Sequence, residues 1–293
     1  MLVVASDRVV VSAVRISSRF GVSAVLIGAL IVGLGTSIPE LLVSSIAAVD
    51  GRLDVAAANV VGSNAANVTL VLGAAAVLSP IVATGQLLRK ETPLMVFAVV
   101  ALAIVLADRS ISREEAIGLL VGLVVALGLL IVWSRRDPPD VEDEEAVASP
   151  VALEFLYGVL GITATVVGAK ILLDGALDIG VRLDWSATFL GLLLGVGTSL
   201  PELATALAAA RRKESELVLG NVIGSNIFNS LAVAGTAGVV GPGLLADFDG
   251  IAVWGMIGAV VLATAAMMTG RRISRLEGGL LLALFAGFVV ATI

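Results

Sequence analysis

Two glutamates stand inside apolar runs in nearly the same context: Glu40 within GLGTSIPELL (Gly33 to Leu42) and Glu202 within GVGTSLPELA (Gly195 to Ala204). A second polar segment follows each copy, NVVGSNAAN from Asn59 to Asn67 and NVIGSNIFN from Asn221 to Asn229. Every matched residue is displaced by 162 positions, as Glu202 is from Glu40. The chain is an internal duplication, and its repeated part is polar.

A carboxylate buried at the centre of a membrane helix costs at least about 2.5 kcal/mol to insert and usually marks an ion or proton path. The residues around each glutamate supply further oxygens. Pro39 has no N–H and its ring pushes against the carbonyl of Gly35, so a helix must break there. In lipid a freed carbonyl is costly unless something satisfies it, and a bound cation does so. Gly33 and Gly35 allow the backbone to bend and approach closely, Thr36 and Ser37 add hydroxyls, and Glu40 adds a charge. Gly195, Gly197, Thr198, Ser199, Pro201 and Glu202 repeat the construction. Such a set suits a hard cation. Calcium accepts about six to eight oxygens in flexible geometry, whereas magnesium demands a tighter octahedron and keeps its water.

The second segment fits the same site. Ser63 and Asn67 are four apart, as are Ser225 and Asn229, so each pair shares a helical face and can point at the glutamates. Asn59, Asn64, Asn221 and Asn226 read as amide bridges between helices, and Gly62 and Gly224 as points of close backbone approach. Asp7, Arg8, Lys170, Asp174 and Asp178 sit near span ends and read as interfacial anchors.

The elements that must carry these residues lie in lipid. Of 293 residues 58% are hydrophobic and 14% charged, far from a soluble domain. Apolar stretches long enough to cross about 30 Å of hydrocarbon occur near 22–49, 54–82, 91–107, 114–133, 151–181, 186–210, 215–242, 250–269 and 274–292, after a short amphipathic piece from Met1 to Arg19. Cysteine and histidine are absent, which excludes disulfides, thiolate or imidazole catalysis and common zinc or haem ligation. The net charge of -6 comes largely from DPPDVEDEE, Asp137 to Glu145, which reads as a solvated linker.

Counting the first piece as a span gives ten: an all-α polytopic membrane protein with a first half over 1–134, a linker over 135–150 and a second half over 151–293. Five spans per half require the second copy to enter the membrane upside down. Basic residues agree, twelve lying in the connections on one side and only Arg52, Arg109, Arg113 and Arg182 on the other. By the positive-inside bias the linker is cytoplasmic and both termini point outward. Inverted copies then meet near the midplane, as in alternating-access carriers. The first span looks shortened, because Val151 to Val167 has only Met1 to Val4 as its counterpart. A signal peptide is a poor alternative, since Asp7 and Arg8 interrupt the apolar stretch.

GTSxPE followed about twenty residues later by GSNxxN, twice, in inverted halves, resembles the α-repeats of the calcium/cation antiporter superfamily, closest to prokaryotic sodium/calcium exchangers. The resemblance covers essentially the whole chain. It implies calcium export driven by sodium or proton entry, with no cofactor. By resemblance, Glu40 and Glu202 bridge calcium with the carbonyls of Thr36 and Thr198. Ser37, Ser63, Ser199 and Ser225 flank the centre as sodium ligands, helped by the backbone of Gly33 and Gly195. Asn67 and Asn229 fill two further central positions. An aspartate occupies the second of these in potassium-dependent relatives, so Asn229 argues against potassium coupling. Calcium/proton antiport through the same glutamates is the alternative, and the four serines favour sodium. A channel ring fits poorly with an inverted duplication in one chain, and no HExxH or G-x-S-x-G motif supports an enzyme. The expected partners are the lipid bilayer and the ions, not nucleic acid, and a monomer suffices.

Overall fold

The computed structural model describes residues 1–136, 150–183, 196–246, 248 and 250–292. Helix α1, Leu2–Phe20, is amphipathic, burying Val9, Val10, Ala13 and Ile16, and ends at Gly21 with φ 60°. That left-handed turn is one that glycine adopts without a Cβ penalty. Helix α2, Ala24–Thr36, starts at Ser23, whose Oγ accepts from the Leu26 N–H at 3.2 Å. Helix α3, Ile38–Val49, follows after a 45° bend, with Pro39 in its first turn, where a missing N–H costs nothing. The expected span at 22–49 is therefore a broken one, and the break falls at Ser37 (φ -88°, ψ 10°).

The remaining helices are α4 (Leu53–Leu78), α5 (Gly85–Asp108), α6 (Arg113–Arg136), α7 (Val151–Arg182), α8 (Leu200–Arg211), α9 (Ser215–Val240), α10 (Gly250–Arg271) and α11 (Arg275–Thr292). Burial sorts them: α9 is 94% buried and α4 78%, against 22% for α6 and 28% for α7 and α10. The two helices carrying the serine and asparagine motifs thus form the centre, and the most uniformly apolar ones face outward. Such a distribution suits lipid, which has no reason to exclude leucine but every reason to exclude asparagine.

Small residues let the centre close. A Cβ on Gly224 of α9 would lie 2.4 Å from the Ala29 Cα of α2, and one on Gly220 would lie 2.4 Å from the Val25 carbonyl oxygen. The close approach expected of Gly224 is present. No atom stands within 4 Å of a Cβ built on Gly62, its counterpart, among the described residues.

Among the described residues four two-residue strands accompany the helices. They are β1 (Ile81–Val82), β2 (Ser110–Ile111), β3 (Gly243–Leu244) and β4 (Arg272–Ile273). Strand β1 pairs antiparallel with β4, Ile81 opposite Ile273, and β2 pairs with β3, Ile111 opposite Gly243. The 162-residue offset converts each pairing into the other, so the two ribbons exchange the halves of the chain symmetrically. Extended residues at helix ends pair here because their backbone groups have no helical partner.

Six helices among the described residues are long and apolar enough to cross a membrane, or seven counting the bent pair α2 and α3. The chain is a multi-pass membrane protein. The count falls short of ten at α1, which carries Asp7, Arg8, Arg15 and Arg19 within 19 residues, at α8, which spans only 12, and at α11, which is not among the six. Most of the linker at 135–150 and the first part of the expected span at 186–210 lie outside the described residues.

Helix α1 lies along α7, where Gly161 meets Val9 and Ala5. Glu154 of α7, buried at 3%, accepts from Arg8 at 2.8 Å, Arg15 at 2.6 Å and Ser12 at 3.3 Å. Asp7 accepts two bonds of 2.7 Å from Arg212, just past α8. Asp7 and Arg8 are therefore ties between the two halves rather than interfacial anchors, while Lys170 with Asp174 and Asp178 with Arg182 make exposed pairs within one helix.

Candidate cation site

The broken helix places its polar residues inward. Thr36, Ser37 and Glu40 are fully buried, as are Ser199 and Glu202, and Gly33 is buried with them. Ser37 donates its hydroxyl hydrogen to Glu202 Oε1 at 2.7 Å. Thr198 stands beside the Glu40 carboxylate and Thr36 beside that of Glu202. The two motif copies thus interlock at one site, each glutamate lying among the hydroxyl residues of the other copy. Glu40 and Glu202 are close enough to repel each other. Among the described residues no group of three or more acidic, histidine or cysteine side chains forms, so these two carboxylates carry the charge of the site.

Backbone chemistry explains how the glutamates are held. Thr36 Oγ1 donates back to the Val32 carbonyl at 3.0 Å. The Asn59 side chain reaches the Glu40 carbonyl at 3.4 Å and Ser44 Oγ at 2.9 Å. Asn221 does the same in the second copy, reaching the Glu202 carbonyl at 3.3 Å and Thr205 Oγ1 at 3.2 Å. The amide bridges expected of these asparagines are present and fasten each glutamate's backbone to the neighbouring helix. Asn64 likewise bridges to Ser230 Oγ at 2.9 Å, and Asn67 Nδ2 donates to Asn226 Oδ1 at 3.3 Å.

Ser63, Asn67, Ser225 and Asn229 are all buried at 1% or less. Ser225 donates to the Gly33 carbonyl at 3.2 Å, which brings two of the expected ligands together across α9 and α2. Gly195 lies outside the described residues. Both α4 and α9 widen into a π-turn that begins at the asparagine, over Asn67–Val71 and Asn229–Val233, and α2 does so over Gly28–Gly33. Such bulges gather at functional sites because they redirect side chains and loosen backbone carbonyls. Nothing in residue type or spacing announces them, although the asparagine heading both turns is itself repeated.

Several buried oxygens have no hydrogen-bond partner among the described residues: both of Glu40, Oε2 of Glu202, the hydroxyls of Ser63 and Ser199, and Oδ1 of Asn67 and Asn229. A native interior rarely tolerates so many, and a low-dielectric one least of all. They are all acceptors, they include two carboxylates, and they suit the coordination of a hard cation.

A family described as sodium/calcium exchanger protein matches residues 1–132 and 153–293. The chain belongs to that family. Each matched segment contains one GTSxPE and one GSNxxN motif. CaxA of Alkalimonas amylolytica is 36% identical over 98% of this chain and 94% of its own length. The sodium/calcium exchanger MaX1 of Methanosarcina acetivorans is 31% identical over 99% of this chain and 94% of its own. A solved structure of the sodium-calcium exchanger NCX_Mj, soaked with sodium and strontium, superposes with a TM-score of 0.87 at 29% identity, over 100% of this chain and 95% of that one. The family is one of membrane transporters rather than enzymes, and its members exchange cations.

Proposed function

We propose that this chain exports calcium in exchange for sodium by alternating access to one central site. The observation that carries the proposal is the meeting of Glu40 and Glu202, one from each motif copy, among several buried oxygens that have no hydrogen-bond partner among the described residues. In this reading the two carboxylates and the carbonyls of Thr36 and Thr198 hold calcium. Ser37, Ser63, Ser199 and Ser225 hold sodium with the backbone of Gly33 and Gly195, and Asn67 and Asn229 complete the centre. One calcium neutralises two carboxylates, whereas several sodium ions overbalance them, so the exchange is electrogenic.

The architecture proposed is two inverted five-helix halves over 1–134 and 151–293: α1, the bent α2 and α3, α4, α5 and α6, then α7, the span ending in α8, α9, α10 and α11. The symmetric exchange of the two strand pairs supports it. Basic connections put the 135–150 linker on the cytoplasmic side of the cell membrane, and one chain completes the site as a monomer. Proteoliposomes loaded with sodium and diluted into sodium-free buffer are expected to take up radioactive calcium, and a pH gradient without sodium is expected not to drive uptake. Uptake driven by the pH gradient alone would make protons the counter-ion and overturn the sodium assignment.

A further inference from the structure

Behind the asparagines of the site lie two methionine thioethers, Met95 on α5 and Met256 on α10, both fully buried. Asn226 directs Nδ2 to Met95 Sδ at 3.5 Å, and Asn64 directs Nδ2 to Met256 Sδ at 3.6 Å. Asn64 and Asn226 occupy the same place in the two copies, but the methionines do not. Met95 is matched by Ile257 and Met256 by Leu94, so the sulfur contact recurs from neighbouring positions rather than from repeated sequence.

We infer that Met95 is a positioning residue that sets which way the site asparagines Asn226 and Asn67 point. A thioether sulfur accepts hydrogen bonds and has none to give, so an amide facing it must present Nδ2 and turn Oδ1 the other way. In Asn226 the turned Oδ1 accepts from Asn67 Nδ2 at 3.3 Å. Asn67, having donated there, keeps a buried Oδ1 with no partner among the described residues, on the helical face it shares with Ser63. The chain of contacts from Met95 through Asn226 to Asn67 thus ends in a bare carbonyl oxygen, which a cation can use, instead of an NH₂ group, which repels one. Asn64 is held differently, since its Nδ2 also donates to Ser230 Oγ at 2.9 Å, an acceptor that the Met256 sulfur at 3.6 Å only supplements. Asn64 Oδ1 and Asn229 Nδ2, the counterparts of the bonded pair, are both buried and without a partner among the described residues, so the chain of contacts forms in one copy. Leucine at Met95 fills the same space but offers no acceptor, and the Asn226 amide loses its fixed sense.

The inference rests on Asn67 being a cation ligand, and calorimetric titration of the purified full chain with calcium chloride separates the two ideas. Met95→Leu is expected to weaken calcium binding about fivefold, the worth of one ordinary hydrogen bond, with a melting temperature close to the parent because the swap conserves volume. In an Asn67→Asp background both oxygens of the side chain are alike and need no orienting, so adding Met95→Leu is expected to cost nothing further. Met256→Leu, where Ser230 still accepts from Asn64, is the control and is expected to leave binding near that of the parent. Normal binding in Asn67→Ala would overturn the ligand assignment itself. Weakened binding in Asn67→Ala with unchanged binding in Met95→Leu would overturn the inference, as would an equal penalty for Met95→Leu in the Asn67→Asp background.

Discussion

The hydroxyl of Ser37 donates to Glu202 Oε1 at 2.7 Å, although the two residues stand 165 positions apart and in opposite copies of the repeated motif. One copy alone could not build this arrangement. Ser199, the equivalent of Ser37, has a buried hydroxyl with no partner among the described residues. The two serines are thus alike in sequence and unlike in what they hold.

Removing them should therefore have unequal effects on stability. Ser37→Ala strips a buried carboxylate of a donor, and hydrogen bonds to charged groups contribute about 1.5–3 kcal/mol. Its melting temperature in detergent is expected to fall, whereas that of Ser199→Ala should stay near the parent. Both variants are expected to raise the sodium concentration needed for half-maximal exchange. Equal melting temperatures for the two would contradict the hydrogen bond as a stabilising contact.

Close packing of α2 on α9 gives a second prediction. Gly224→Ala puts a Cβ 2.4 Å from the Ala29 Cα, a backbone atom that cannot swing aside. Overpacking of this kind costs about 1–3 kcal/mol, and here it also pushes on the helix that ends at the site. Gly118→Ala, where nothing stands within 4 Å, is the control and is expected to leave the melting temperature unchanged or slightly higher. A Gly224→Ala protein as stable as the control variant would mean that the two helices are not held this closely.

Glu154 carries a third. Its carboxylate is almost wholly buried between Arg8 and Arg15, whose side chains are about one-third exposed. Glu154→Gln leaves both arginines without an anion, and with solvent screening of the exposed ends the expected loss is about 1–3 kcal/mol. The loss should appear as a lower melting temperature that added salt does not restore. Limited proteolysis should cut first near α1, since these bonds fasten it to α7. Unaltered stability would show that packing at Gly161 holds the pair without the ions.

Much of the site could be read from residue types because the duplication repeats it. Glu40 and Glu202 converge, and Asn59 and Asn221, each 19 residues after its glutamate, bridge to that glutamate's carbonyl. Apolar length located the six helices long enough to cross a membrane, and the proline located the bend at Ser37. Other features depend on neighbours that spacing does not name. Asp7 and Arg8 looked like interfacial anchors, yet their partners Arg212 and Glu154 lie 205 and 146 positions away. The two-residue strands are too short to show a period of two. The π-turns at Asn67 and Asn229 come from packing between helices, which no local pattern encodes.

The central claim is that Glu40 and Glu202 hold the transported cation together. Its most direct test is uptake of radioactive calcium by sodium-loaded proteoliposomes containing Glu40→Gln or Glu202→Gln, each of which keeps the side chain's shape and removes its charge. Either substitution is expected to reduce sodium-driven uptake to the level of liposomes without protein, with the protein still folded and inserted. Uptake that persists in both variants would contradict the site.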